Sequence, residues 1–262
     1  MMKGSRMGAA VVSSGRGTFR ENVALLGSAQ KPPRGTAAYS RHVNRPLARR
    51  VAAALHLCGT TPNQATSISA ALSALGLVLL AAVPPTPLLG LAVALLLAAG
   101  YVMDSVDGQL ARLRGRGSLS GEMLDHTVDC VKTLCLHLAV LISLYRFGPF
   151  DPAWLLVPIA FQVVDVVSFF GLVTMPLLRR LHGSGSAGDR NGPAGSVEHP
   201  LRRWILLPTD YGVFCWMFVL LGWPQLFMLS YSAMFVLNAL VIVVVLRRWG
   251  RELLALDRTG GR

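Results

Sequence analysis

The sequence predicts an all-α, polytopic membrane protein: six transmembrane helices preceded by an amphipathic juxtamembrane helix, with both termini cytoplasmic. Three observations predict it. Hydrophobic residues make up 53% of the 262, charged residues only 15%, and mean hydropathy is +0.51. That is too apolar for an ordinary soluble domain. The apolar residues also fall in blocks of roughly 20, the length that crosses hydrocarbon. Finally, the 25 Lys and Arg residues avoid three short connections, "PPTP" at 84–87, "GPFD" at 148–151 and "GWPQ" at 222–225, apart from the nearby Arg146. They collect in the N-terminal arm, the 113–119 turn, the 179–203 loop and the C-terminal tail, which the positive-inside rule places in the cytoplasm. The net charge of +12 follows from this bias and favours anionic lipid heads. It does not indicate nucleic acid, because the arginines flank spans and form no surface interleaved with aromatic residues.

The elements follow in order. Residues 1–38 read as a disordered basic arm rich in Gly and Ser, with no stretch apolar enough for a signal peptide. Residues 39–59 contain "NRPLARRVAAALHLCG". Asn44 is placed to cap, Pro46 suits a first turn and Gly59 can end the helix. Val43, Leu47, Val51 and Leu55 recur every four residues beside a stripe of Arg41, Arg45 and Arg49, as in a helix lying on a membrane surface. Packing on a neighbouring subunit is the competing explanation. Residues 60–249 form the six-span domain, with a flexible loop at 182–200, and 250–262 is a tail. The spans are expected at 64–83, 87–107, 120–146, 152–178, 211–222 and 225–246. The fifth is the weakest, since Pro208 and Asp210 interrupt its start. Cys58, Cys130, Cys135 and Cys215 form no CxxC pair, and no disulfides are expected.

In "TTPNQAT", Thr61 and Gln64 have capping-box spacing and Pro62 takes the first helical position. The free N–H groups of that helix start either serve a cap alone or meet a polar headgroup.

The chemistry lies in spans two and three. Asp104, Asp107, Gly108 and Ala111 share one helical face, as do Gly121, Asp125, Asp129 and Lys132 on the next helix. A turn of about ten residues makes the two helices antiparallel neighbours, so the acidic faces converge at the cytoplasmic end. Four carboxylates at a membrane edge cost about 10 kcal/mol or more at about 2.5–3.5 kcal/mol each. Lys132 and Arg112 cannot offset all of it. Several carboxylate oxygens with no His or Cys beside them suit a hard divalent cation, Mg²⁺ or Mn²⁺, which commonly shares its shell with phosphate. His126, about 100° off the acidic face, reads as packing. Gly108, Ala111 and Gly121 serve either close helix packing or contact with a bulky group. Arg112 and the turn "LRGRGS" add positive charge suited to phosphate. Lys132 either pairs with Asp129 or anchors a charge on the substrate. Asp165 lies mid-span with no evident partner. Asp210 either caps a helix or helps bind substrate.

The full string DSVDGQLARLRGRGSLSGEMLDHTVD resembles the signature of the CDP-alcohol phosphatidyltransferase family. Asp104, Asp107, Gly108, Ala111, Arg112, Gly121, Asp125 and Asp129 fill its eight fixed positions with no gap adjusted. The span layout, the surface helix and the "TPNQAT" segment are also similar to the family. The resemblance implies transfer of a phosphatidyl-type group from a CDP-linked donor, expected to be CDP-diacylglycerol, to an alcohol, with release of CMP, in phospholipid biosynthesis. It implies that Asp104, Asp107 and Asp125 ligate two metal ions. Asp129 would be the general base and would also touch a metal. Gly108, Arg112 and Ser118 would contact the CDP, and Asn63 and Thr66 the nucleotide. Dimerisation is common among members. "YSRHVNRP" resembles members that handle inositol phosphates, so a CDP-inositol-type donor is the alternative. An ion-coupled transporter and an inactive scaffold are the rivals from other classes. Acids gathered at one end, without internal repeats, argue against the first; the intact motif argues against the second.

Overall fold

The computed structural model describes residues 17–28, 38–115, 117–181 and 209–260. Among these every regular element is helical: α1 (Phe19–Ser28), α2 (Arg45–Leu57), α3 (Pro62–Ala82), α4 (Pro87–Leu113), α5 (Leu119–Phe147), α6 (Leu156–Leu181), α7 (Tyr211–Met217) and α8 (Pro224–Gly260). The loop expected at 182–200 lies outside the described residues.

Five segments, α3, α4, α5, Pro152–Leu181 and Pro224–Arg258, are long and apolar enough to cross a membrane. This makes the chain an integral membrane protein. The span expected at 211–222 is different. Tyr211–Gly222 is α7 continued by a 3₁₀ turn, Phe218–Gly222. A dozen residues at about 1.5–2 Å each fall short of a hydrocarbon core of about 30 Å. The segment instead lies on α4, where a Cβ at Gly90 would sit 2.6 Å from the Phe218 carbonyl oxygen.

The ends of the chain also depart from expectation. Within the arm expected to lack structure, α1 forms behind a capping box. The Thr18 N–H donates to Glu21 (2.7 Å) and the Glu21 N–H to the Thr18 hydroxyl (3.3 Å). Its Leu26 is wholly buried in a cluster with Ala48, Ala52, Ala65, Met103, Val106 and Leu110. Asn44 does not cap α2. A π turn, Ser40–Asn44, leads into that helix, and Asn44 is helical and buried. Its amide donates to the Ser105 hydroxyl at 2.7 Å. The Asn44, Ala48 and Ala52 stripe therefore faces the bundle, while Val43 and Leu47 stay exposed. Gly59 ends the helix in the left-handed region, φ 81°. The tail expected at 250–262 is the continuation of α8, held to α6 by a bidentate pair in which Arg179 donates to Glu252 at 2.7 and 2.9 Å. "RELLALDR" has strong helix formers and no proline to stop it.

Small residues bring α3 and α4 together. Ser69 Oγ donates to the Gly100 carbonyl at 2.8 Å, and a Cβ at Gly100 would meet Ser73 Oγ at 2.5 Å. The larger core joins Leu80, Val93, Leu97, Phe161, Phe214, Phe218, Phe227 and Tyr231.

Asp165, whose partner the sequence could not name, meets His137 Nε2 at 2.9 Å, and His137 Nδ1 meets the Tyr231 hydroxyl at 2.6 Å. A neutral imidazole satisfies both contacts, donating from Nε2 and accepting at Nδ1. The chain of bonds links α5, α6 and α8 within apolar surroundings. His137→Phe keeps a ring of similar breadth but strands the other two groups. The expected cost is about 1–3 kcal/mol, read as a lower midpoint in detergent unfolding; an unchanged midpoint would show that the chain of bonds is dispensable.

Candidate active site

Helices α3, α4 and α5 enclose a cavity of about 1230 Å³ at one end of the bundle. Each wall has a local cause. Thr61 and Gln64 form the complete capping box at the start of α3, which sets Asn63 and Thr66 at the cavity. Arg114 donates to the carbonyls of Gly59 and Thr60 at 2.8 and 2.9 Å, tying the end of α4 to the approach to α3. Gly115, φ 65°, then turns the chain back. Ser118 caps α5 by accepting from the Gly121 N–H at 3.0 Å.

Of the residues singled out by sequence, Asn63, Thr66, Asp107, Gly108, Ala111, Arg112, Ser118, Gly121 and Asp125 line this cavity. Asp104, Asp129 and Lys132 do not. The acids among them sit one turn deeper than Asp107 and Asp125. Asp107 is 7% exposed and accepts from the Thr66 hydroxyl at 2.7 Å. Lys132 Nζ lies 2.6 Å from Asp104 Oδ1 and 2.6 Å from Asp129 Oδ1, so it pairs with two carboxylates where one was expected. Tyr101 and Tyr211 pack edge to face, one turn from Asp104, with centroids 5.3 Å apart. The small residues differ in use. A Cβ at Gly121 would meet Ser118 Oγ at 2.9 Å and Asn63 Oδ1 at 3.2 Å, so this glycine allows a close approach to the start of α3. At Gly108 the nearest atom would be Arg112 Nη2 at 3.7 Å, which leaves room beside the backbone. The Arg112 guanidinium folds back along α4, donating from Nε to the Gly108 carbonyl at 3.0 Å.

His126 corrects the sequence reading. It does not pack internally but lines the cavity, 4.0 Å from Glu122. The first turns of α5 are largely exposed, so a side chain 100° from the acidic face still reaches the opening. Arg114 and Glu122 also line the cavity. The arginine was legible only as charge in the turn, and no spacing marked the glutamate. Asp210 proves to be a cap: it accepts from the Gly212 N–H at 3.0 Å and from the Ser40 N–H at 2.8 Å.

A divalent cation fits the donor set. Asp125, His126 and Asp129 each bring a ligand atom within 4.8 Å of the other two. Asp125 Oδ1 is buried with no hydrogen-bond partner among the described residues. Such an oxygen is costly unless a cation or donor meets it. Carboxylates dominate, which favours a hard ion.

A family model described as CDP-alcohol phosphatidyltransferase matches residues 59–245, from the end of the juxtamembrane helix through most of α8. The comparison with curated proteins gives no match. The matched region contains the cavity, all four acids, four of the five long apolar segments and most of the fifth. The chain therefore belongs to the CDP-alcohol phosphatidyltransferase family, as a membrane-embedded transferase that moves a phosphatidyl-type group from a CDP-alcohol donor.

Proposed function

We propose that the protein catalyses transfer from CDP-diacylglycerol to an alcohol acceptor, with release of CMP, in phospholipid synthesis. The observation that carries this is the convergence of α4 and α5. Their motif acids lie at and just below a cavity that also gathers Asn63, Thr66, Gly108, Arg112 and Ser118. Acids at one end of the bundle suit a reaction between a soluble nucleotide and a lipid better than an ion path through the midplane. The basic end faces the cytoplasm in this reading.

The residues divide the work. Arg112, with its guanidinium over Gly108, holds phosphate charge. Ser118, Asn63 and Thr66 line the nucleotide end, while Ala111 and Gly121 leave room for it. Asp104, Asp107, Asp125 and Asp129 would hold Mg²⁺ or Mn²⁺, two ions in all. When bound, these ions neutralise the diphosphate and stabilise the charge that builds on the leaving CMP. Asp129 takes the acceptor's hydroxyl proton. The acceptor oxygen then bonds to the phosphorus carrying the diacylglycerol, and the bond from that phosphorus to the bridging oxygen breaks, with its electron pair leaving on CMP.

The test uses purified protein in detergent with Mg²⁺ or Mn²⁺. CDP-diacylglycerol and CDP-inositol are each offered with glycerol phosphate, serine, inositol, inositol phosphate and a phospholipid, and products are read by mass spectrometry. CMP matched by a new phosphodiester from CDP-diacylglycerol is expected. Product from CDP-inositol alone would replace the donor, and no CMP from any pair would overturn the reading.

A further inference from the structure

We propose that Lys132 is a positioning residue. It fixes Asp104 and Asp129 so that one oxygen of each is held and the other is left for the reaction. This rests on the roles given above to those two acids. Lys132 lies outside the signature, whose eight fixed positions end at Asp129.

The geometry is specific. Asp129 and Lys132 stand one turn apart on α5, and Asp104 faces them from α4. The Lys132 side chain is 12% exposed, and its ammonium reaches Oδ1 of both acids at 2.6 Å. An ammonium has three N–H donors, and two are used here. Each carboxylate keeps Oδ2 for a cation or for the acceptor's proton. A carboxylate free to rotate would offer either oxygen, and neither would be preorganised. The four-carbon stem lets one charge span two helices, so the pair also fixes the separation of α4 and α5 at the depth of the reaction. With both carboxylates on its Nζ, Lys132 is engaged inside the protein and does not serve as the anchor for a charged acceptor.

Supporting residues of this kind typically change metal affinity or activity by roughly 10–100-fold when removed. Lys132→Met is expected to lower kcat by about that factor, with KM for donor and for acceptor within about threefold of wild type. The number of Mn²⁺ ions bound, followed by electron paramagnetic resonance without donor, should be unchanged. Lys132→Arg, which keeps charge and donors, should recover most of the loss. A raised acceptor KM with near-normal kcat would assign Lys132 to the acceptor and overturn the proposal. So would normal kcat, or loss of all Mn²⁺ sites. If the methionine variant does not fold, a cryo-EM map of wild type with Mn²⁺ decides. Lys132 bonded to both acids beside the ion supports the proposal; Lys132 swung away from either sinks it. Failure of the enzymatic reading itself is distinct, because wild type would then release no CMP at all.

Discussion

Asp129→Asn is expected to lower transfer by about 10²–10⁴-fold, the usual contribution of a general base, while donor binding stays within about threefold. The amide keeps the shape of the carboxylate, and its oxygen can still accept from Lys132. What it loses is the capacity to take a proton. Single-turnover CMP release, measured beside equilibrium binding of a non-reactive CDP analogue, separates the two effects. Near-normal turnover would remove the base assignment. Loss of donor binding equal to the loss of rate would make Asp129 chiefly a metal ligand.

Asp107→Ala should act differently, removing binding and rate together. Asp107 is nearly buried and lies where the Thr66 hydroxyl on α3 meets the acidic face of α4, at 2.7 Å. Its loss takes a carboxylate from the cavity wall and breaks the link between those helices. We expect CMP release to fall by at least about 10³-fold, combining lost metal chemistry with lost orientation. The Mn²⁺ titration should shift to higher concentration in the same variant. Thr66→Val is the control: it spares the carboxylate and removes its hydrogen bond, with an expected loss of roughly 10–100-fold. An unchanged metal titration in Asp107→Ala would show that this acid is not a ligand.

Much of the fold is legible because membrane spans have a coarse code. Length, hydropathy and the Lys and Arg bias identify α3, α4, α5, α6 and α8 without reference to packing. Thr61 and Gln64 mark the start of α3 because a capping box is local chemistry. The same code was present at Thr18 and Glu21, but the polar composition of the whole arm masked it. Asn44 shows the limit. Its residue type suits a cap, yet a buried position against α4 gives its amide a better partner in Ser105.

By itself the sequence determined the family, the eight motif positions and their sharing of two helix faces, because those depend on spacing along a chain of fixed helical pitch. Only the tertiary structure decided which groups meet. Lys132 bridges Asp104 and Asp129, His137 joins Asp165 to Tyr231, and His126 opens on the cavity. Each depends on the rotation and depth at which one helix sets against another, which small residues such as Gly100 and Gly121 govern through contacts absent from any single helix.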